Sequence, residues 1–170
     1  IPKWSHSTES GAEEIVNVAV IWTPRISNFT DLTPLAYDPS VSLSYINHTS
    51  QLNNPDLIIL PSSKNTIEDL IYLKEQRILE KVLKCHHDGS LLLGICGGFQ
   101  MLGNTIRDPK NLESKTSECA GLGLFDMDTT FASDKLTRQI ELKNVKSRLF
   151  KKGLKCQGYE IHMGRTTFKS

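Results

Sequence analysis

Residues 90–103 of this 170-residue chain read SLLLGICGGFQMLG, and this stretch decides the fold. Its apolar first part predicts a buried β-strand, and its second part predicts a short helix that ends at Gly103. Cys96 stands between the two, with glycines nearby on both sides that allow a sharp turn and the close approach of a substrate. The pattern is typical of a nucleophile elbow, in which a reactive side chain stands on a strand-to-helix turn.

The position of Cys96 also predicts its chemistry. At a helix N-terminus the partial positive charge favours a thiolate over a thiol, so we expect a lowered pKa. The backbone N–H of Gly97 would point into the same space, where it could stabilise an oxyanion. The alternative is a buried structural cysteine, which is the usual role of a free thiol. The flanking glycines favour the reactive interpretation.

Composition limits the possible functions of the chain. Its length fits one domain, and its net charge of +1, with no long Lys/Arg run, argues against a nucleic-acid partner. No apolar run approaches the roughly 20 residues of a membrane span. The four cysteines form no C-x-x-C pair and no zinc-like spacing, so we expect no metal site and a reducing, cytoplasmic location.

The two ends of the chain suggest that it belongs to something longer. Residues 1–14 are polar and begin with Ile1 rather than Met, which predicts a linker from an upstream domain. Residues 15–170 form the predicted domain, which we expect to lack its C-terminal part.

Alternation between strand and helix patterns predicts an α/β fold. Apolar runs predict buried strands at 15–22 and 56–60, and a half-exposed edge strand at 41–46. A helix is predicted from a capping box of Asn65 and Glu68 as far as Asp88. Residues 139–142 and 155–163 suggest antiparallel additions to the sheet. We therefore predict an open, mostly parallel sheet with helices on both faces.

The elbow resembles a known family. Residues 94–100, GICGGFQ, are similar to the G-x-C-x-G-x-Q signature of class I glutamine amidotransferases, which have a flavodoxin-like fold. The longer run GICGGFQMLG resembles the branch found in cobyric acid synthases, as do PRISNFTDLTPL, GLGLF and GYEIHMGRT. The resemblance implies that Cys96 attacks the side-chain amide of glutamine, that Gly97 donates to the oxyanion, and that Gln100 contacts the bound glutamine.

A second loop is implied by the same resemblance. The family sequence Pro-Gly-Ser-Lys-Asn-Thr offers a further backbone donor to the oxyanion, and here Ser62 replaces the glycine. If Ser62 needed a positive φ, the strain would cost on the order of 1 kcal/mol and weaken the oxyanion hole. The alternative is that the loop serves only as a helix N-cap.

The general base is the open question. Glu160 and His162 share one face of a predicted strand, so Glu160 could orient His162 as the base. The resemblance instead implies a histidine in a later Tyr-Leu-His-Gly segment, which does not occur before Ser170. We therefore expect the base beyond residue 170 and keep His162 as the alternative.

The function implied by the resemblance is that of a glutaminase. Ammonia released from glutamine would pass to an ATP-dependent synthetase domain, upstream or on another chain, that amidates carboxylates of a corrinoid, adenosylcobyrinic a,c-diamide. No phosphate-binding G-x-x-x-x-G-K-[ST] loop occurs here, so this domain needs no cofactor, and ATP and Mg would belong to the partner. Two alternatives remain: an amidotransferase subunit of a cell-wall lipid II ligase, and a non-catalytic module of the same fold.

Overall fold

Two four-stranded sheets organise the part of the chain that the structure, a computed structural model, describes, which is residues 15–144 and 152–169. The predicted linker at 1–14 lies outside these residues. In chain order the strands and helices are β1 (Val16–Ile21), α1 (Thr33–Ala36), β2 (Val41–Ile46), β3 (Leu57–Leu60), α2 (Thr66–Glu75), α3 (Ile78–His87), β4 (Leu91–Gly94), α4 (Gly97–Met101), β5 (Thr105–Arg107), β6 (Glu118–Ala120), β7 (Met127–Lys143) and β8 (Lys155–Phe168), with 3₁₀ turns at Phe29–Leu32 and Thr49–Gln51.

The first sheet is parallel throughout and has the strand order β2-β1-β3-β4. Its two central strands are the β-branched and apolar runs that the sequence predicted to be buried. The strand at 41–46 lies at one edge, as predicted. Because all four strands run the same way, their carboxyl ends lie along the same side of the sheet. Cys96 follows β4 on that side.

Helices cover both faces of this sheet. On one face, Ala19, Ile21, Ile58 and Leu60 pack in a single core with the apolar sides of α2 and α3. On the other face, a smaller core is closed by the segment that contains the 3₁₀ turn Phe29–Leu32, and it consists of Val18, Val20, Leu32 and Ile59. Successive residues of β1 and β3 point to opposite faces, so both faces need apolar side chains and both need a cover. The predicted fold class is confirmed.

Two local predictions were wrong. β4, which was predicted to be buried, is the edge strand opposite β2, and its Leu93 is 45% exposed. The single helix predicted after Asn65 is divided into α2 and α3 at Arg77, which has a φ of 56°. Asn65 does cap α2, since its side chain accepts from the Glu68 N–H at 3.1 Å. The second half of the predicted box is not formed there, because the Glu68 carboxylate accepts instead from Ser114 Oγ.

The antiparallel strands belong to a second sheet with the order β6-β5-β7-β8. The sequence predicted them as additions to the parallel sheet, but β7 pairs with β5, the strand that follows α4, and with β8. β7 and β8 form a long ribbon whose register shifts between Phe131 and Leu136. In the described residues, the structure contains no helix that is long and apolar enough to span a membrane.

Candidate active site

The turn between β4 and α4 has the geometry of a nucleophile elbow. Cys96 adopts φ 50° and ψ −108°, a conformation that costs a non-glycine residue of order 1–3 kcal/mol and that persists only when the surroundings enforce it. The surroundings are tight, because a Cβ on Gly98 would lie 2.0 Å from the carbonyl oxygen of Leu60. Only glycine fits there, which lets α4 lie directly against the end of β3 and present Cys96 beyond the sheet edge.

Cys96 opens into two adjoining cavities. Their volumes are about 330 and 230 Å³, and both are lined by Cys96, Gln100, Ile161 and His162. The larger cavity also reaches Phe99, Glu160, Gly164 and Thr166, and the smaller one reaches Ser63, Thr66, Glu113, Phe131 and Met163. Cys96 itself is exposed. The thiol on the elbow therefore faces β8 and is open to a small molecule.

The electrostatics of the thiol differ from the prediction. Although Cys96 has solvent access, protein atoms crowd its thiol, and this partial desolvation is the largest effect and raises its pKa. The Gly97 N–H donates to the sulfur and opposes the rise, while the charge of Glu113 adds to it. The expected lowering by the helix N-terminus is thus outweighed, and α4, with five residues, is short. At neutral pH the thiol form dominates unless a bound substrate or a base changes the balance.

Glu113 lines the smaller cavity and was not predicted from the sequence. Burial raises the pKa of its carboxyl, the Thr66 N–H that donates to it opposes the rise, and the charge of Asp108 adds to it. Within the described residues its Oε2 atom is buried without a hydrogen-bond partner. A single glutamate in a polar loop carries no recognisable spacing, so the sequence offered no direct signal.

A buried aspartate fixes the loop that carries Glu113. Asp108 is fully buried, and its two carboxylate oxygens accept from the N–H groups of Leu112, Glu113 and Ser114 at 2.8–2.9 Å. These three bonds hold the pKa of Asp108 below its ordinary value against the effect of burial. Asp108 therefore fixes the backbone of the loop, and the backbone sets the position of Glu113.

The residues predicted to surround the thiol fall into two groups. Gly97 and Gln100 lie beside Cys96, and Gln100 is mostly buried, with its Oε1 accepting from Thr66 Oγ1 at 3.4 Å. Ser62 does not line either cavity. Its hydroxyl donates to the carbonyl of Ser27 at 2.7 Å, and its φ is not positive, so no left-handed strain arises there. The next residue, Ser63, lines the cavity instead.

His162 lies in the cavity, but both of its ring nitrogens are engaged. Nε2 bonds to Glu160 Oε1 at 2.7 Å, and Nδ1 bonds to the carbonyl oxygen of Gly164 at 2.6 Å. Glu160 and the Gly164 carbonyl thus hold the ring from both sides. Arg138 holds Glu160 from the other side at 2.6 Å. In this arrangement His162 has no nitrogen free to take a proton from Cys96.

Comparison with solved structures gives the class of fold. The chain is similar to a chain in the structure of PurLQS from Thermotoga maritima, with a TM-score of 0.68 and 19% identity over 92% of this chain and 71% of that one. It is also similar to a crystal structure of a glutamine amidotransferase, with a TM-score of 0.53 and 16% identity over 72% of this chain and 62% of that one. The fold is that of a glutamine amidotransferase domain.

Sequence comparison gives the family. Residues 17–170 match the CobB/CobQ-like glutamine amidotransferase domain, and the chain belongs to that family. It is 44% identical over 158 residues to cobyric acid synthase from Alkaliphilus metalliredigens, and 46% identical over 157 residues to that from Desulfitobacterium hafniense. Each match covers 91% of this chain, which spans 31% and 30% of the relatives' lengths.

Proposed function

We propose that this chain is the glutaminase domain of a cobyric acid synthase. The observation that carries the proposal is the position of Cys96, on a strained elbow and open to a cavity, in a chain of this family. The substrate would be L-glutamine, and the products would be glutamate and ammonia.

The chemistry follows from the elbow. The thiolate of Cys96 attacks the side-chain carbonyl carbon of glutamine, and the negative charge that forms on the oxygen is stabilised by backbone N–H groups. The Gly97 N–H, whose hydrogen bond to the thiol lowers the pKa of Cys96, would be one of these donors. Collapse of this intermediate expels the nitrogen as ammonia after it has received a proton. Water then cleaves the γ-glutamyl thioester, which releases glutamate and restores the thiol.

Glu113 is the residue we assign to recognition of the substrate's α-ammonium group. It lines the smaller cavity together with Cys96, and its Oε2 is buried and without a partner within the described residues. A buried carboxylate oxygen without a partner is costly, and a bound ammonium group would remove that cost. Gln100, which lines both cavities, would orient the substrate from the side of α4.

The base is proposed to come from outside the described residues. His162 would have to break its bond to Glu160 or to Gly164 before it could serve. A histidine or other base from elsewhere in the full protein would instead take the thiol proton and pass it to the leaving nitrogen.

The use of the ammonia is also a proposal, since this chain spans about 30% of the curated relatives' length. Cobyric acid synthases are its relatives, so we propose that the ammonia amidates corrinoid side-chain carboxylates. ATP and Mg would act in a synthetase domain that receives the ammonia. An amidotransferase subunit of a lipid II ligase remains the alternative of the same class.

A covalent label tests the proposal without depending on a base from outside the chain. A chloromethyl ketone analogue of glutamine reacts when the thiolate displaces chloride, and peptide mass spectrometry identifies the labelled cysteine. We expect saturable labelling at Cys96, protection by L-glutamine but not by L-asparagine, and no labelling there in Cys96→Ser. The matched control is Cys156→Ser, which removes another exposed cysteine and should leave the labelling unchanged.

Any other pattern of labelling at Cys96 counts against the proposal. Labelling that does not saturate, or that glutamine does not prevent, would favour a non-catalytic module of the same fold. Ammonia release by the full-length protein, lost in Cys96→Ser and accompanied by amidation of a corrinoid rather than of lipid II, would support the complete function.

A further inference from the structure

A buried carboxylate lies behind the loop that faces Cys96. Asp69, on α2, is fully buried, and its Oδ2 accepts from Ser63 Oγ at 2.6 Å. Its Oδ1 lies 3.4 Å from the guanidinium of Arg25, whose side chain is 44% exposed. Asp69 does not line either of the two cavities at Cys96, so it does not reach the substrate.

The partner of this carboxylate lies directly beside the elbow. A Cβ on Gly97 would lie 3.2 Å from the Ser63 nitrogen and 3.4 Å from the Ser63 Cβ, so the two backbones are in contact. Ser63 Oγ also accepts from the Asn65 N–H at 3.0 Å, which bends the loop toward the start of α2. Fixing the Ser63 side chain therefore fixes the peptide groups that face Gly97.

A second connection holds the same loop from outside. Ile26 forms a short antiparallel bridge with Ser63. The hydrogen bonds come from the flanking residues: the Lys64 N–H donates to the Arg25 carbonyl and the Ser27 N–H donates to the Ser62 carbonyl, both at 2.9 Å. The Arg25 side chain then returns to Asp69. Arg25 thus contacts the loop directly with its backbone. Its side chain acts on the loop indirectly, because it pairs with Asp69.

We propose that Asp69, held by Arg25, is a positioning residue for the oxyanion-binding loop at Ser62 and Ser63. This inference rests on the proposed glutaminase chemistry. The carboxylate acts through Ser63 and sets the distance between the loop's N–H groups and the carbonyl oxygen of the substrate. Burying the charge of Asp69 costs free energy. Its two partners are Ser63, which belongs to the loop, and Arg25, which belongs to the segment paired with the loop.

The test separates polarisation of the carbonyl from binding and from thiol reactivity. The variants are Asp69→Asn, Ser63→Ala and Arg25→Gln, and the matched control is Lys64→Gln, an exposed residue of the same loop. For each variant of the 170-residue chain, the chloromethyl ketone analogue of glutamine gives a saturating labelling rate and a half-saturation concentration at Cys96. Iodoacetamide, which has no need of the oxyanion loop, gives the intrinsic reactivity of the thiol.

We expect the saturating rate to fall on the order of tenfold in Asp69→Asn and Ser63→Ala, and less in Arg25→Gln. The half-saturation concentration and the iodoacetamide rate should stay within about twofold, and Lys64→Gln should match the parent chain. A change confined to the half-saturation concentration would overturn the proposal. So would an equal fall in the iodoacetamide rate. If Asp69→Asn does not fold, Ser63→Ala decides the question, because it removes the same hydrogen bond from a half-buried position. A parent chain that shows no glutamine-protected labelling contradicts the proposed function itself, whereas protected labelling with unchanged variants contradicts only this inference.

Discussion

The cavity at Cys96 has two walls of different construction. The first wall is the elbow and the Ser62–Ser63 loop, which rest on β3, whose Ile58, Ile59 and Leu60 are fully buried. The second wall is β8, where Tyr159 is 72% and Ile161 is 51% exposed. The difference indicates that the position of the thiol is set by core packing, whereas β8 contributes surface that the described residues leave uncovered. Substitutions in the first wall should therefore cost far more than similar ones in the second.

Replacing Gly98 by alanine should give the largest effect. A Cβ there would lie 2.0 Å from the backbone oxygen of Leu60, which cannot move without displacing β3, so we expect a loss of about 3 kcal/mol or more in the free energy of unfolding. The measurement is urea denaturation followed by circular dichroism. Gly158→Ala on β8 is the control, since a Cβ at that residue would have no other atom within 4 Å, and it should change stability by less than about 0.5 kcal/mol. Equal losses in both variants would contradict the distinction between the walls.

Glu113→Gln should affect two reagents in opposite directions. Labelling by the chloromethyl ketone analogue of glutamine should fall by about tenfold to a hundredfold at low reagent concentration, because the counter-charge for the α-ammonium is lost. Labelling by iodoacetamide at pH 8 should rise, because removing the charge of Glu113 lowers the raised pKa of Cys96 and increases the thiolate fraction.

The pH dependence of the iodoacetamide rate tests the direction of the pKa change at Cys96 independently. In the parent chain the iodoacetamide rate should still be rising as the pH passes 9.0, the unperturbed value of the thiol, and the midpoint in Glu113→Gln should lie lower. Glu118→Gln, an exposed carboxylate paired with Arg107, is the control and should shift neither rate. A fall of both rates in Glu113→Gln would show that the glutamate has a structural role instead.

The elbow was predictable because its determinants are local. An apolar run, a cysteine and flanking glycines define strand, turn and helix within 14 residues. The edge position of β4 was not predictable in the same way, since an apolar strand carries no record of how many neighbours it has. The break at Arg77 was missed for a related reason: a positive φ at a non-glycine residue gives no sequence signal.

The second sheet and the cavity glutamate show the limit of pattern reasoning. Alternation predicted the strands of β7 and β8, but their partners are set by contacts far apart in sequence. Glu113 is placed by Asp108 and Thr66, which come from different segments. For the thiol, the sequence indicated the helix N-terminus but not the crowding around the sulfur, which depends on the tertiary structure and has the larger effect on the pKa.

His162→Gln should have the smallest effect, although His162 lines both cavities. Both ring nitrogens are hydrogen-bonded to oxygen atoms of the ribbon, so neither is free to take a proton from Cys96. We expect the saturating rate of labelling at Cys96 to stay within about twofold of the parent chain between pH 6 and 9, because a side chain that takes no part in proton transfer removes no such contribution. A base would behave differently: its loss would lower ammonia release in the full-length protein by about a hundredfold or more and would remove an inflection near its own pKa. Arg138→Gln, which removes the other partner of Glu160, is the control for a changed ribbon surface. If His162→Gln abolishes ammonia release while Arg138→Gln does not, the second wall supplies the base. The conclusion that β8 contributes only surface to the cavity would then be wrong.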